Sequence, residues 1–192
     1  MLTNLPTVKT RLGLTDAVDD GLVLSFIGWA GDLFEKHCHR SFERSTTATD
    51  EFGGDEREIS LSRTPVESVT AIALKSTEAE GWVTESPLPD FLLRRGCVLT
   101  LAAQLGTRDE LGRVTYTGGY VLPGTDPEEG QTALPKAIEQ ACIEQVAYWY
   151  QNRSRLGYTG IAAEGGSVTL HPKLELLPIV KVTLDGYRRY TL

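Results

Sequence analysis

The sequence is poor in the residues from which most metal and redox sites are built. Its 192 residues include three cysteines, three histidines and one methionine. Cys38, Cys97 and Cys142 are odd in number and widely spaced, so they predict reduced thiols of a protein folded in a cytoplasm rather than a disulfide framework. No apolar run approaches the roughly 20 residues that a membrane-spanning helix needs. The first residues form neither a basic head nor an apolar stretch, so we expect no secretory signal and no membrane partner.

Positive charge is also in short supply. Lysine and arginine total 19 against 26 acidic residues, which gives a net charge of −7. The surface as a whole is therefore not expected to condense onto nucleic acid or anionic lipid, although local basic patches remain possible. Apolar and charged residues are near globular proportions, and the chain is long enough to bury one good-sized core or two small ones.

Helical periodicity marks both ends of the chain. Within residues 15–39 and again from residue 134 to between 153 and 157, apolar positions recur at the spacing of an amphipathic helix. Short helices are predicted over 7–12, ending at Gly13, and around 177–187. Asp16, Asp19 and Asp20 suit the first turn of the first long helix, since carboxylates are favoured at the positive end of the helix dipole. The predicted inward stripes are Val23, Phe26, Ile27, Ala30, Leu33, Phe34 and His37, and Ile138, Ala141, Cys142, Gln145, Val146 and Trp149.

Between the two long helices, from about residue 41 to 120, the apolar period changes to two. Alternating runs occur at 58–61, 69–74, 97–101 and 113–117, and glycine and proline separate them. This pattern predicts one small, mostly antiparallel sheet. The order helix, inserted sheet, helix, loop, short helix predicts an α+β fold whose helices pack on each other.

The strongest metal candidate is His37-Cys38-His39. Consecutive residues on a helix point about 100° apart, so these three side chains cannot converge on one ion. Zinc sites instead pair ligands across a short gap and add a second pair elsewhere. We therefore interpret this segment as a helix C-terminus, with His37 turned inward and His39 outward.

Other catalytic signatures are also lacking. The sequence has no Gly-x-Ser-x-Gly, and Gly118-Gly119 is not followed by the residues of a phosphate-binding loop. The acidic run at 50–58 lacks the oxygen spacing of a calcium loop and is interpreted as a solvated turn. We therefore predict no enzyme, no catalytic, cofactor-binding or metal-binding residues, and no cofactor.

Two groups of aromatic residues are suited to protein–protein contacts. Trp29 and Trp149 lie at helical positions, which favours a role in the core or in a subunit contact over base stacking. Tyrosine and arginine are the side chains that most often anchor interfaces. The closing segment places two adjacent arginines between two tyrosines: Tyr187, Arg188, Arg189 and Tyr190. A frayed polar tail is the alternative interpretation of this segment.

Seven short segments form a recognisable pattern through their order and spacing along the chain. They are residues 5–12, the His-Arg-Ser-Phe of 39–42, 63–69, the Val-Thr-Tyr-Thr-Gly-Gly-Tyr of 114–120, 134–138, 150–153 and 184–189. By their order and spacing they resemble the head-to-tail connector (adaptor) proteins of long-tailed bacteriophages and gene transfer agents. The resemblance covers nearly the whole chain, although residues 75–112 look like a larger sheet insertion than compact members carry.

The resemblance implies a helical connector fold with two long packed helices, an inserted mostly antiparallel β-sheet and a short C-terminal helix. It implies one head-tail connector domain over residues 1–192. The parts of that domain would be helical segments at 5–40 and 133–157, a β insertion at about 42–120 and a C-terminal docking segment at about 174–192.

The resemblance also implies a function. The chain would be made in the host cytoplasm and would act in the virion, at the head-tail junction, as a subunit of a dodecameric ring under the portal protein. The ring would join the capsid to the tail and receive a stopper or tail-completion protein on its far side. Viral DNA would pass through the bore during packaging and ejection without sequence-specific binding, and an acidic wall would keep it from sticking. In this family the C-terminal segment docks on the portal, which makes Tyr187, Arg188, Arg189 and Tyr190 the candidate docking residues. Trp29 and Trp149 are candidates for the contact between subunits.

Three other functions remain open from the sequence. A tail-terminator or tail-completion protein would also form a ring, but such proteins are usually richer in sheet. A non-viral enzyme of small-molecule metabolism would need a pocket of ionisable residues with shifted pKa values. A host-interaction or regulatory module would not associate with portal particles.

Overall fold

A computed structural model of the chain describes residues 1–154, 161–163, 166–168 and 175–189. Within these ranges it has four helices and nine strands, so the predicted α+β class is confirmed. The helices are α1 (Leu5–Leu12), α2 (Asp20–Cys38), α3 (Lys136–Gln151) and α4 (Pro178–Asp185). The strands are β1 (Ser45–Gly53), β2 (Glu58–Ser60), β3 (Val66–Lys75), β4 (Val83–Thr84), β5 (Phe91–Arg94), β6 (Val98–Leu101), β7 (Leu111–Gly118), β8 (Ile161–Ala163) and β9 (Gly166–Val168).

The chain divides into two compact units. The helical unit comprises the described residues of Met1–Cys38 and Leu134–Tyr187 and contains all four helices. The sheet unit comprises His39–Ala133 together with Arg188 and Arg189.

The helix ends of the helical unit follow from local capping. Helix α1 begins two residues earlier than predicted, because the Asn4 side chain accepts a hydrogen bond from the Thr7 N–H at 3.0 Å and Pro6 fits the first turn. It ends, as predicted, at Gly13, whose φ of 69° is left-handed. Helix α2 begins at Asp20 and not near residue 15, because the Asp16 carboxylate accepts from the Val18 N–H at 3.2 Å and holds a turn there.

The buried faces of α2 and α3 agree with the predicted stripes at most positions. All six predicted positions of α3 are buried. On α2, Leu33 and His37 are only partly buried, and Cys38 takes the inward place because it lies four residues beyond buried Phe34. Helix α3 ends at Gln151, earlier than predicted, and α4 lies within its predicted range with Val180 and Leu184 buried.

The sheet unit contains two antiparallel sheets where the sequence predicted one. One has the order β1-β7-β3-β4 and the other the order β2-β6-β5. Both contribute to one core: Ala48, Phe52, Ile59, Leu61, Val66, Ile72, Leu99, Leu101, Val114 and Tyr116. A further departure is the short hairpin β8–β9, in the segment predicted as a loop. Among the described residues, none of the helices combines the length and the hydrophobicity that a bilayer-spanning segment requires.

Candidate docking and subunit-contact surfaces

The two tryptophans predicted at a subunit contact touch each other inside the helical unit. The ring of Trp29 on α2 stacks on that of Trp149 on α3, with centroids 4.3 Å apart and planes 17° apart. Phe26 adds a tilted contact to Trp149 at 5.9 Å. Trp149 is 0% exposed, whereas Trp29 is half-buried. Part of the Trp29 side chain is therefore solvent-accessible in the isolated chain, and its ring packs on the buried ring of Trp149.

Polar contacts fix α1 and α3 within the same unit. The Arg11 guanidinium binds both carboxylate oxygens of Glu144, at 3.1 and 2.9 Å, and this contact lowers the pKa of Glu144. The Tyr150 hydroxyl donates to the Asp19 carboxylate, which raises the pKa of Tyr150. The Arg11–Glu144 contact therefore holds α1 to α3, and the Tyr150–Asp19 contact holds the residue directly before α2 to α3.

Apolar side chains are exposed on the helical unit. Ile179 and Val182 on α4 are 66% and 69% exposed, and Val18 before α2 is more exposed still. Ile179 also lines a shallow groove of about 220 Å³ between α3 and α4, with Ala137 and Ala141 on its other wall. Exposed apolar side chains beside a groove are typical of a surface that another protein covers.

The two arginines of the C-terminal segment have different surroundings. Tyr187 is half-buried and Arg188 is exposed. The Arg189 Nη2 donates to the Ser60 carbonyl oxygen, and its Nε lies 3.4 Å from Ser60 Oγ. The same Nη2 lies 3.7 Å from an oxygen of Asp50. Tyr190, the fourth predicted docking residue, lies outside the described residues.

The carboxylate that faces Arg189 is held by a network in the sheet core. Asp50 Oδ2 accepts hydrogen bonds from the Tyr116 hydroxyl at 2.6 Å and from the Ser62 N–H at 2.7 Å. The Tyr116 oxygen in turn accepts from the Arg63 N–H at 2.9 Å. Burial, with the bond to Asp50 adding to it, raises the pKa of Tyr116 to about 12. The hydroxyl therefore stays neutral and remains a donor to Asp50 across the physiological range.

Sequence reasoning missed this network, because it joins residues that are far apart in the chain. Asp50 was assigned to a solvated acidic turn, yet its side chain is 11% exposed and lies on β1. Tyr116 lies on β7, and the two meet because β1 and β7 pair in antiparallel register. The only signal in the sequence was that Asp50 lies in a stretch where polar and apolar residues alternate weakly.

The His37-Cys38-His39 segment agrees with the prediction in part: α2 ends here and His39 is exposed, but His37, predicted to turn inward, is only partly buried and Cys38 lies inward instead. His37 Nε2 lies 2.9 Å from an oxygen of Asp185, and the buried Cys38 Sγ donates to the Leu184 carbonyl at 3.5 Å. His39 has a left-handed φ of 52° and is exposed. Across the described parts of the chain, no group of three histidine, cysteine or acidic side chains is placed to hold a metal ion.

A family model described as head completion protein matches residues 1–190 of the chain. Solved structures with a similar fold are described as parts of gene transfer agent (GTA) particles. The neck of an empty GTA particle computed with C6 symmetry gives a TM-score of 0.59 at 15% identity, over 98% of this chain and 90% of that one. The virion of a native GTA particle gives 0.58 at 17% identity over the same shares. The neck of a native GTA particle computed with C12 symmetry gives 0.56 at 18% identity, over 98% and 89%. No curated protein sequence matches this chain at a significant level.

Proposed function

Because this chain belongs to the head completion protein family, we propose that it is the adaptor subunit of a ring that lies under the portal. The observation that carries the proposal is the family match over residues 1–190, which leaves two residues of the chain unmatched. In this role the ring joins the capsid to the tail, contacts the portal on one side and a stopper or tail-completion protein on the other, and leaves a bore for DNA.

Family membership also establishes the class of protein and its location in the particle. The chain is a structural protein of the virion, located at the head-to-tail junction, and it is not an enzyme. The resemblance drawn from the sequence motifs is thereby confirmed. The ring, its partners and its channel are the proposal.

The proposed fold and domain are those of a connector subunit. The whole chain would act as one head-tail connector domain, with helical parts at 5–40 and 133–157, the β insertion at about 42–120 and the docking segment at about 174–192. Its two long helices would be α2 and α3, packed through the tryptophan stack. The fold similarity to particles computed with C6 and C12 symmetry supports a ring of twelve.

A closed ring of identical subunits needs two different, complementary surfaces on each subunit. Half-buried Trp29 and the exposed α4 side chains Ile179 and Val182 are our candidates for these two surfaces. Tryptophan is among the residues that contribute most to interfaces. We therefore place a subunit contact at Trp29, with Trp149 supporting its ring from beneath.

The ring contact is tested by native mass spectrometry of the chain bound to its portal. Trp29→Ala should lower the number of copies bound per portal, while Trp82→Ala, a matched change in the sheet unit beside Lys75 and Arg113, should not. Thermal unfolding of both variants controls for loss of the fold. Equal, full occupancy for Trp29→Ala would place the contact elsewhere.

The portal-docking segment is proposed to comprise Tyr187, Arg188, Arg189 and Tyr190. The basic pair stands out in a chain of net charge −7, and Arg188 is exposed. Arg188→Ala combined with Arg189→Ala should leave the fold intact and weaken portal binding in a pull-down. The matched control is Arg94→Ala with Arg95→Ala, an adjacent exposed pair in the sheet unit that removes the same charge. Unchanged retention of the first double variant, or an equal loss in both, would refute the docking assignment.

A further inference from the structure

Three oxygen atoms of the sheet unit lie near the Arg189 guanidinium. The Ser60 carbonyl and hydroxyl oxygens lie against its guanidinium, and Asp50 Oδ1 lies 3.7 Å from Nη2. The Asp50 side chain is 11% exposed, and its other oxygen is already occupied by the Tyr116 hydroxyl and the Ser62 N–H. The remaining oxygen, Oδ1, faces Arg189. The hydrogen bonds to Oδ2 therefore hold the Asp50 carboxylate in position independently of Arg189.

We propose that Asp50 and Ser60 form a guanidinium-binding site, and that Arg189 occupies it as the anchor of the C-terminal segment. The two adjacent arginines then have separate roles. Arg189 fixes its own position within the sheet unit, to which Arg188 also belongs, and Arg188 makes the contact with the portal. This division of roles rests on the proposed function, whereas the site itself does not.

The geometry favours a guanidinium over an ammonium group. The Nε and Nη2 donors of Arg189 lie along one edge of a rigid plane, and both are directed at Ser60 while Nη2 also lies near Asp50. A lysine has a single point of charge and cannot present two donors at this fixed spacing. The charge is also matched, since a largely buried carboxylate is costly unless a cation or hydrogen bonds compensate it.

Arg188 differs from its neighbour in each of these respects. Its side chain is exposed, and it makes no hydrogen bond or ion pair with the described residues. An exposed arginine next to an anchored one is held near a fixed place and yet keeps its five donors available, which lowers the entropy lost when a partner binds it. The portal surface that Arg188 would meet is therefore acidic or rich in carbonyl groups.

Hydrogen–deuterium exchange on the isolated full chain tests the anchor without any portal. Arg189→Ala should speed exchange of the Tyr187 amide, whose N–H donates to the Leu184 carbonyl at 2.8 Å, by about tenfold, because the residues that follow it lose their anchor. Arg188→Ala is the matched control and should exchange like the wild type. Equal rates for the wild type and both variants would overturn the anchor.

Two further variants keep the test independent of folding. Arg189→Lys retains the charge without the planar fork and should exchange nearly as fast as Arg189→Ala. Asp50→Asn should also speed exchange, and adding Arg189→Ala to it should have little further effect, because both changes break the same contact. Circular dichroism identifies any loss of fold from Asp50→Asn, in which case the lysine variant decides. Wild-type exchange rates in Arg189→Lys would contradict a guanidinium site.

Portal affinity then tests the division of roles. Arg188→Ala should weaken binding whether or not Asp50 is changed. Arg189→Ala and Asp50→Asn should each weaken it to a similar, smaller extent, and together no more than either alone. A large loss for Arg189→Ala with none for Asp50→Asn would mean that Arg189 contacts the portal directly and would refute the division. Absence of portal binding by the wild-type chain would contradict the proposed function and leave the exchange result to decide the anchor.

Discussion

The Tyr116 hydroxyl on β7 connects β1 to the segment between β2 and β3, and phenylalanine removes it while keeping the ring. The hydroxyl donates to Asp50 at 2.6 Å and accepts from the Arg63 N–H at 2.9 Å, and the side chain is fully buried. The substitution leaves the carboxylate with one donor fewer and the N–H without its acceptor. Hydrogen bonds to charged groups contribute about 1.5–3 kcal/mol, and an unsatisfied buried group costs about 1–3 kcal/mol. Because the two effects overlap, we expect the free energy of unfolding to fall by about 2–4 kcal/mol.

Urea unfolding near neutral pH, followed by circular dichroism, measures this loss. Tyr120→Phe is the matched control, because the Tyr120 hydroxyl makes no hydrogen bond with the described residues and its ring contact with Arg40 is kept. The control should change the free energy of unfolding by less than about 0.5 kcal/mol. A loss for Tyr116→Phe no larger than that of the control would refute the network as a source of stability.

The same hydroxyl predicts a pH dependence. Burial, with the Asp50 contact adding to it, raises the pKa of Tyr116 from 10.0 to about 12. Because the folded-state pKa is the higher one, this contribution to stability is complete below about pH 10 and is lost as the pH rises towards 12. This pKa shift corresponds to at most about 3 kcal/mol in the free energy of unfolding. The gap between wild type and Tyr116→Phe should therefore narrow above about pH 10, and a constant gap would show that the pKa is not raised.

Three other changes test the fold. Gly119→Ala should destabilise the chain by at least about 2 kcal/mol in urea unfolding, because φ at Gly119 is 105° and a Cβ there would lie 2.7 Å from the Glu43 carbonyl oxygen. The control is Gly28→Ala in α2, where an added Cβ meets nothing within 4 Å, and it should be neutral or stabilising. A loss of equal size in both variants would contradict this geometry. Trp149→Ala should cost about 3–5 kcal/mol in the same assay, as expected for a large buried ring, and a cost below about 1 kcal/mol would mean that the site is not packed. Burial raises the pKa of the Cys142 thiol to about 12, so iodoacetamide at mildly alkaline pH should leave it unmodified in the native chain and modify it after denaturation; rapid native modification would show that the thiol is accessible.

The sequence was most informative where periodicity was regular. All six positions of the α3 stripe were predicted correctly, because a helix buried on one face repeats its apolar residues at a constant spacing. The end of α1 was also predicted, since a glycine in the left-handed region is a local signal. The start of α2 was not, because Asp16 and Asp19 are equally suited to a turn and to a first helical turn.

Strands with few apolar residues were missed. The central buried positions of β1 are Ala48 and Phe52, four residues apart, with polar residues between them. Strand β5 is four residues long and carries exposed Leu92 beside Leu93, so alternation does not reveal it. The strands that were predicted belong to both sheets, and periodicity does not show which strands pair, so one sheet was predicted where the unit has two.

The candidate surfaces were identified only in part from the sequence. Composition indicated the arginine pair, but it could not separate Arg188 from Arg189, because the difference lies in Asp50 and Ser60, more than a hundred residues away in the chain. Likewise, helical spacing indicated Trp29 and Trp149 together, whereas their unequal burial depends on how α2 packs against α3.

Cryo-electron microscopy of purified chain mixed with its portal tests the central proposal most directly. The proposal predicts a ring of twelve copies coaxial with the portal, with the C-terminal segments directed at it and an open bore along the axis. Portal particles that bind no chain, or that bind it at scattered positions without a ring, would contradict the proposal.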